Sequence, residues 1–185
     1  MNIKAIASTS QQKSFLIASL TLFVGSLILL TLRGPWPQAD GFHHFADTRN
    51  LFGLTNFMDV FSNLFFSLFG GWGLWILAEK DVGSGTRSWK VFFLGVLLVG
   101  PGSAFYHINP TNFTLIWDRL PMTLAFMAVF SALLTELFWP QFEKYFLIPL
   151  LLMGISSVFY WYWTETQNAG DLRFYAWVQG FPLTI

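Results

Sequence analysis

Five long apolar runs dominate the amino-acid sequence and limit what the chain can fold into. A stretch of roughly 20 apolar residues is long enough to cross about 30 Å of hydrocarbon as a helix. A spanning segment must satisfy its own backbone polar groups, and these runs lack the two-residue alternation of barrel strands, so helices are the structure that fits. The sequence therefore predicts an all-α, polytopic transmembrane helix bundle. The predicted bundle has five full spans and the start of a sixth, which is cut off at Ile185. The full spans are Phe15–Leu32, Asn56–Ala78, Val91–His107, Ile116–Phe138 and Tyr145–Trp163, and the sixth begins near Leu172.

The composition agrees with a membrane protein. Hydrophobic residues make up 54% of the 185 residues and charged residues only 11%, which is far from the balance of soluble domains. Ten basic and ten acidic residues cancel, so no charge excess points to a nucleic-acid partner. The absence of cysteine excludes disulfides, thiol catalysis and cysteine-bound metals. His, Asp, Glu, Asn and Ser remain for any chemistry.

The basic residues predict how the bundle is oriented. In the predicted zigzag they divide into two groups, which are Lys4, Lys13, Lys80, Arg87, Lys90 and Lys144 on one side and Arg33, Arg49, Arg119 and Arg173 on the other. The positive-inside bias then places the N-terminus in the cytoplasm. The first run is interpreted as a retained helix, because it is long for a signal peptide and no small-residue cleavage site follows it. Residues 1–185 form one bundle in this interpretation.

Polar and ionisable groups stand inside or beside these apolar runs. Burying a charged side chain at membrane depth costs roughly 2.5–3.5 kcal/mol on insertion scales, so such groups normally face the interior of a bundle. Ser103 and His107 are four residues apart and share one helix face. Asp118 follows His107 by eleven residues, across a predicted reversal at Asn109-Pro110. We expect the three groups to meet in one pocket towards the non-cytoplasmic leaflet. The alternative is a histidine at headgroup level and an aspartate that caps a helix.

The second predicted span opens with further polar residues. Asn56, Asp59 and Asn63 fall within a narrow arc of a helix, so they face the bundle interior. They are either interhelical hydrogen-bonding groups or a second shell behind a functional site. The loop before them, residues 40–50, contains several oxygen ligands and two adjacent histidines. Such oxygens suit a hard cation such as calcium, but the pattern alone favours a solvated loop.

Taken together, these residues resemble the superfamily of alkaline ceramidases, adiponectin-type receptors and related seven-helix membrane hydrolases, and within it the bacterial ceramidase-like branch. The most specific element is the spacing Ser-x3-His-x10-Asp. The stretches that carry the resemblance are Phe45–Asn50, Asn56–Asn63, Gly102–His107, Asp118–Met122 and Gly170–Arg173 with Gln179. In this comparison residues 40–185 form the family-like core, and residues 1–33 form an extra N-terminal helix.

The resemblance implies a zinc-dependent intramembrane hydrolase of lipid amides. In such a site His107 would be one zinc ligand, Ser103 would hold the metal-bound water or stabilise the oxyanion, and Asp118 would shuttle protons. The implied substrate is an N-acyl sphingoid or a related linear amide, and the implied location is a bacterial inner membrane. Ceramidases also bind calcium near their first core helix. By this resemblance, Asp47, Asn50 and Asn56 are candidates for binding a second metal ion.

One departure from the family pattern concerns the metal ligands. The family's other two zinc ligands are histidines spaced His-x3-His on its last helix, whereas this sequence contains only His43, His44 and His107. A catalytic zinc ion normally has three protein ligands. Three explanations stay open: the sequence is incomplete at its C-terminus, His43 or His44 substitutes, or the site is vestigial.

Two other functions are compatible with the same sequence. The chain would then be a non-catalytic subunit that packs against other membrane-protein subunits, or a receptor-like bundle that binds a lipid without turnover. The aromatic content of 19% fits all three functions. A His-x3-His helix after residue 185 would favour the enzyme.

Overall fold

The computed structural model describes residues 9–80 and 82–184, and this part of the chain is all-helical, as predicted. Its elements are α1 (Thr9–Leu32), α2 (Phe57–Ser62), α3 (Leu64–Glu79), α4 (Thr86–Ile108), α5 (Asn112–Leu137), α6 (Phe142–Thr166), α7 (Arg173–Gly180) and a short 3-10 helix, Phe181–Thr184. Residues 33–56 form a long irregular connection between α1 and α2. Lys4 and Ile185, on which two of the predictions drew, lie outside the described residues.

Four helical segments are long and apolar enough to cross a membrane. They are Phe57–Glu79, Thr86–Ile108, Asn112–Leu137 and Phe142–Thr166, with 23, 23, 26 and 25 residues. At 1.5 Å per residue the shortest is about 35 Å long, which exceeds the thickness of the hydrocarbon layer. These segments confirm four of the predicted spans and make the chain an integral membrane protein. The first predicted span lies within α1, and α7 begins where the sixth was predicted.

Three of the spanning helices, α4, α5 and α6, begin before the apolar runs that predicted them. α5 begins at Asn112 rather than at Ile116, because a capping box closes its N-terminus. The Thr114 backbone N–H donates to the Thr111 hydroxyl at 3.1 Å, and the Thr111 backbone N–H donates to the Thr114 hydroxyl at 3.0 Å. These reciprocal bonds satisfy donors that the start of a helix leaves unpaired. Hydropathy does not reveal polar first turns of this kind.

The N-terminus of α4 is capped by a carboxylate from another helix. Gly85 precedes α4 with a φ of 97°, a conformation that glycine adopts without strain. One carboxylate oxygen of Glu143 accepts from the Gly85 N–H at 3.3 Å, and the other accepts from the backbone N–H and the hydroxyl of Ser88 at 3.0 and 3.1 Å. A negative charge at a helix start is favourable, so this contact fixes the start of α6 against the start of α4.

Glycines let α4 approach its neighbours closely. A Cβ built on Gly100 would overlap the Ser67 hydroxyl of α3, and a Cβ built on Gly102 would overlap the Trp117 carbonyl oxygen of α5. Small residues at such crossings allow helix backbones to come together. α4 thus lies between α3 and α5, and α5 packs in turn against α6.

α1 is joined to α7 by specific contacts. Trp177 of α7 donates its indole N–H to the Ser26 hydroxyl at 2.9 Å, and Phe23 packs edge-on against the Trp177 ring with centroids 4.8 Å apart. Arg173 donates to the Leu30 carbonyl oxygen at 3.1 Å, near the C-terminus of α1, where a cation is favourable. The N-terminal helix is therefore docked on the rest of the bundle.

Asp171 links three segments beside this contact. The residue is 2% exposed. Its carboxylate accepts hydrogen bonds from the Arg173 guanidinium at 2.7 Å, the Trp36 backbone N–H at 3.3 Å and the Tyr160 hydroxyl at 3.1 Å. Burial alone would raise the pKa of Asp171, but the hydrogen bonds outweigh it and lower the pKa to about 2. The ionised side chain holds together the connection after α1, the end of α6 and the start of α7.

Candidate functional site

Three polar side chains lie near one another where α4 ends and α5 begins. Ser103 and His107 lie on the last two turns of α4 and Asp118 lies on the second turn of α5, with the short connection Asn109–Thr111 between the helices. The Asp118 carboxylate interacts with the Ser103 hydroxyl and, electrostatically, with the His107 imidazole. Ser103 is buried, and the other two are partly buried. We call these three residues the candidate site, and their chemical roles remain predictions.

Asp118 lies inside α5 rather than at its start. The cap is Thr111, which precedes the first helical residue, so the alternative in which Asp118 caps a helix is wrong. Its carboxylate is free of that structural task. Two helical turns carry Asp118 from the connection back towards Ser103 on α4. The overlap that a Cβ on Gly102 would make with Trp117 shows how closely the two helices approach beside these side chains.

The His107 imidazole is held mainly by packing. The ring lies against Phe45 and Tyr106, with centroid distances of 4.4 and 5.3 Å, and the side chain is 20% exposed. Its Nδ1 atom is buried and has no hydrogen-bond partner within the described part of the chain. Asp59 Oδ2 lies 3.9 Å from this nitrogen. Buried polar atoms are normally paired, so this nitrogen is an exception.

α2 contacts the candidate site beside α4. Asn56, which precedes α2 with a left-handed backbone of φ 52°, donates its side-chain N–H to the His107 carbonyl oxygen at 2.7 Å. Asn63 is 5% exposed and donates to the Asp59 carbonyl oxygen at 2.7 Å. The side chains of Asn56 and Asn63 thus bind backbone carbonyl oxygens, and the Asp59 side chain lies near the imidazole.

Asp47 already has protein partners. One carboxylate oxygen accepts from the Met58 backbone N–H at 2.7 Å, at the start of α2, and the other accepts from the Arg49 guanidinium. The hydrogen bond from Arg49 is the main reason why the pKa of Asp47 lies below its ordinary value, although burial opposes it. Asn50 is exposed. A calcium ion at Asp47 would compete with the Arg49 contact, so the second metal remains a prediction from the resemblance.

The two loop histidines differ from His107. His43 uses both ring nitrogens, since Nδ1 lies 3.0 Å from the Tyr106 hydroxyl and Nε2 lies 2.9 Å from the Asn112 side-chain oxygen. His44 is exposed. Metal binding through His43 would break one of these hydrogen bonds, so the arrangement gives no support to His43 as a substitute ligand.

The described residues do not complete a metal site. Across residues 9–80 and 82–184, no three His, Cys, Asp or Glu side chains form a group that could hold a metal ion. A catalytic zinc ion normally has three protein ligands and a water. His107 offers a suitable nitrogen, while Ser103 and Asp118 offer oxygens suited to a metal-bound water. These residues therefore offer the types of donor atom that suit zinc, but they are fewer than the ligands that a zinc ion normally has.

Arg119 lies in an environment that the sequence did not predict. The orientation argument groups it with the basic residues on one side of the membrane, but it lies inside α5 and is 4% exposed. Its guanidinium lies 3.9 Å from the centre of the Trp161 ring and 4.6 Å from that of the Tyr175 ring, and it donates to the Gln38 side-chain oxygen at 2.8 Å. Aromatic faces attract a cation more strongly where water is excluded. The signal was present in the sequence, because Arg119 falls within the predicted span Ile116–Phe138.

The chain matches the ceramidase family over the region that carries the candidate site. The family model described as Ceramidase matches residues 53–179, a range that contains Ser103, His107 and Asp118. The Dictyostelium discoideum protein named "Putative alkaline ceramidase dcd3A" is 30% identical over 83 residues, and the match covers 37% of this chain and 28% of that protein. The chain thus matches well under two-thirds of the length of this relative. No solved structure matches the chain significantly.

Proposed function

Because the chain belongs to the ceramidase family, we propose that it hydrolyses lipid amides within the membrane. The observation that carries the proposal is the meeting of Ser103, His107 and Asp118 between α4 and α5, inside the matched range. A carboxylate and an imidazole are costly at this depth and normally mark a functional site. The Nδ1 atom of His107, which has no hydrogen-bond partner in the described part of the chain, supports the same proposal, since structural histidines in protein interiors are normally hydrogen-bonded.

The proposed substrate is an N-acyl sphingoid or a related linear amide taken from the surrounding lipid. The family description supports this substrate class, and the four membrane-spanning segments place the chain in a lipid environment. Hydrolysis adds one water across the amide bond and yields a fatty acid and a free amine. No further reactant is needed.

Each residue of the candidate site has a role that its chemistry allows. The Asp118 carboxylate would accept a proton from the attacking water and return it to the amine nitrogen as the carbon–nitrogen bond breaks. The Ser103 hydroxyl would donate a hydrogen bond to the carbonyl oxygen, on which negative charge develops. Burial of Ser103 would strengthen this hydrogen bond, because bulk water does not compete for it.

Zinc is part of the proposal, with His107 as one ligand. A bound zinc ion supplies an activated water and polarises a carbonyl oxygen. The described residues provide fewer than the three protein ligands that such an ion normally has. This part of the proposal therefore requires ligands besides them.

The proposed location is a bacterial inner membrane with the N-terminus in the cytoplasm. Lys80 follows α3, Arg87 lies in the first turn of α4 and Lys144 lies in the first turn of α6. These three basic residues lie near the start of α4, whereas His107 lies near its C-terminus. The positive-inside bias supports a cytoplasmic position for them, which directs the candidate site to the non-cytoplasmic leaflet.

Hydrolysis of a fluorescent N-acyl sphingosine by the purified protein in lipid nanodiscs tests the proposal. Asp118→Asn keeps the size of the side chain and removes the base, so we expect turnover to fall at least about 100-fold with an unchanged melting temperature. His107→Ala should lower both turnover and the zinc bound per mole of protein. His44→Ala is the matched control, because that histidine is exposed, and it should keep wild-type values.

Two results would count against the proposal. Wild-type protein supplied with zinc that releases no fatty acid from any N-acyl sphingoid would overturn the hydrolase function. Zinc retained at the wild-type level in His107→Ala would overturn the metal role of that residue, and the Asp118→Asn result would then decide the hydrolase function by itself.

Lipid binding without turnover is the second candidate function. It is favoured by the incomplete set of metal ligands within residues 9–80 and 82–184. If the protein is a receptor-like bundle, the wild type and Asp118→Asn should bind the amide equally well, and neither should release product. A non-catalytic subunit would instead co-purify with other membrane-protein subunits in a fixed ratio. Product release by the wild type separates the enzyme from both.

A further inference from the structure

We propose that Asp59 of α2 is a positioning residue for His107. Its carboxylate accepts the Nδ1–H of the imidazole, fixes the orientation of the ring and leaves Nε2 on the other side of the ring for the reaction. This inference rests on the proposed function of the candidate site and adds a residue from a third helix to it. Asp59 acts through His107 and touches neither the substrate nor the reacting atoms.

The distance between the two groups supports the pairing. Nδ1 of His107 lies 3.9 Å from Oδ2 of Asp59, about 1 Å beyond an ordinary N–H···O hydrogen bond. Nδ1 is buried and has no hydrogen-bond partner among residues 9–80 and 82–184. A small rotation of the Asp59 side chain, which is 34% exposed, would pair this nitrogen. Hydrogen bonds in active sites are often long in the free protein and shorten when the substrate binds.

The backbone on both sides of this pair is already fixed. Asn56 donates to the His107 carbonyl oxygen at 2.7 Å, which ties the start of α2 to the residue that carries the imidazole. Asn63 donates to the Asp59 carbonyl oxygen at 2.7 Å, which ties the residue that carries the carboxylate to the start of α3. We therefore expect rotation of the two side chains, rather than movement of a helix, to close the gap.

The pairing decides which nitrogen of His107 carries the proton. An ionised carboxylate only accepts hydrogen bonds, so Asp59 favours the tautomer with Nδ1–H. Nε2 then keeps a free lone pair, which a metal ion or a proton can take. The Phe45 ring, at 4.4 Å from the imidazole, is not an acceptor. Among the described residues, Asp118 interacts with the imidazole electrostatically, without a hydrogen bond. Carboxylates that orient a histidine in this way typically change metal affinity or activity by roughly 10–100-fold.

The tautomer of His107 is the first measurement that tests the inference. In metal-free protein labelled with 15N-histidine, at a pH of about 8 where a free imidazole is neutral, we expect the Nδ1–H pattern for His107. The His107→Ala variant identifies its signals. In Asp59→Ala the pattern should change to the Nε2–H form or to a mixture. An Nε2–H tautomer in the wild type would overturn the inference whatever the activity is.

Kinetics and zinc affinity form the second measurement. Asp59→Ala should lower kcat and zinc affinity by roughly 10–100-fold while KM and the melting temperature stay unchanged. Asp59→Asn should keep part of the wild-type kcat and zinc affinity, because its amide oxygen still accepts a hydrogen bond from Nδ1–H. Asp40→Asn removes an exposed loop carboxylate and is the matched control that should behave as wild type.

The failures of the two ideas can be told apart. A wild type that hydrolyses the amide, together with an Asp59→Ala variant of equal kcat and zinc affinity, would reject the positioning role and leave the proposed function intact. A wild type without hydrolysis would contradict the proposed function, and the tautomer of His107 would still decide the role of Asp59.

Discussion

Replacement of Gly102 by alanine should damage the candidate site without removing any of its polar groups. A Cβ at this position would overlap the Trp117 carbonyl oxygen, so α4 and α5 would have to separate beside Ser103 and Asp118. Alanine gains about 1 kcal/mol over glycine in helix propensity, whereas overpacking costs about 1–3 kcal/mol. The opposing atom belongs to a helix backbone and cannot rotate away. We therefore take the upper part of that range, about 2–3 kcal/mol, which leaves a net loss of about 1–2 kcal/mol in the free energy of unfolding.

Thermal unfolding and hydrolysis should both record this change. A loss of that size lowers the melting temperature of a chain of this length by about 2–8 °C, which unfolding in detergent can measure. Hydrolysis should suffer more, because a displacement of about 1 Å in an active site can lower the rate about 100-fold. We expect kcat to fall by about 10–100-fold at temperatures where the variant is still folded.

Gly71→Ala is the matched control for this variant. Gly71 also lies inside a membrane-spanning helix, but the nearest atom to an added Cβ is Leu97 Cδ1 at 3.9 Å, which is an ordinary contact. This variant should keep wild-type activity and gain up to about 1 kcal/mol of stability. Equal melting temperatures and equal activities for Gly102→Ala and Gly71→Ala would refute the close crossing of α4 and α5 on which the position of Ser103 depends.

Two further predictions concern polar contacts that hold the bundle together. Asp171→Asn should lower the free energy of unfolding at neutral pH by about 2 kcal/mol, because each unit between the folded and unfolded pKa corresponds to about 1.4 kcal/mol. The folded pKa of about 2 is below the unfolded one, so the wild-type advantage is complete above about pH 4 and disappears as the pH falls through the folded value. Denaturation at several pH values checks this, and an advantage that persists below pH 2 would contradict it. Glu143→Gln weakens the cap of α4 and should cost about 1 kcal/mol, measured as a lower melting temperature, whereas Glu79→Gln, at an exposed position, should not.

The helices were predictable because hydropathy is a local property of the sequence. The run Ile116–Phe138 indicated α5, and the structure has that helix as Asn112–Leu137. The helix starts were not predictable in the same way. Glu143 caps α4 through Ser88, which is 55 residues away in sequence, and no hydropathy window contains both residues.

The candidate site was predictable in part. Helix geometry places Ser103 and His107 on one face, and the short connection between α4 and α5 returns Asp118 to the same end of the bundle. The approach of Asp59 to the imidazole depends on how α2 lies against α4, which residue spacing does not determine. The guanidinium of Arg119 likewise finds its aromatic partners on α6 and α7, far along the chain.

Hydrogen bonding distinguishes His43 from His107. His43 lies in a loop rich in polar residues, yet Tyr106 and Asn112 occupy both of its nitrogens, so it ties that loop to α4 and α5. His107 lies in a regular helix, and its buried Nδ1 has no hydrogen-bond partner among the residues that the structure describes. Because a folded chain seldom leaves such an atom unpaired, the proposed hydrogen bond to Asp59 would pair Nδ1. The same hydrogen bond would leave Nε2 for the reacting group.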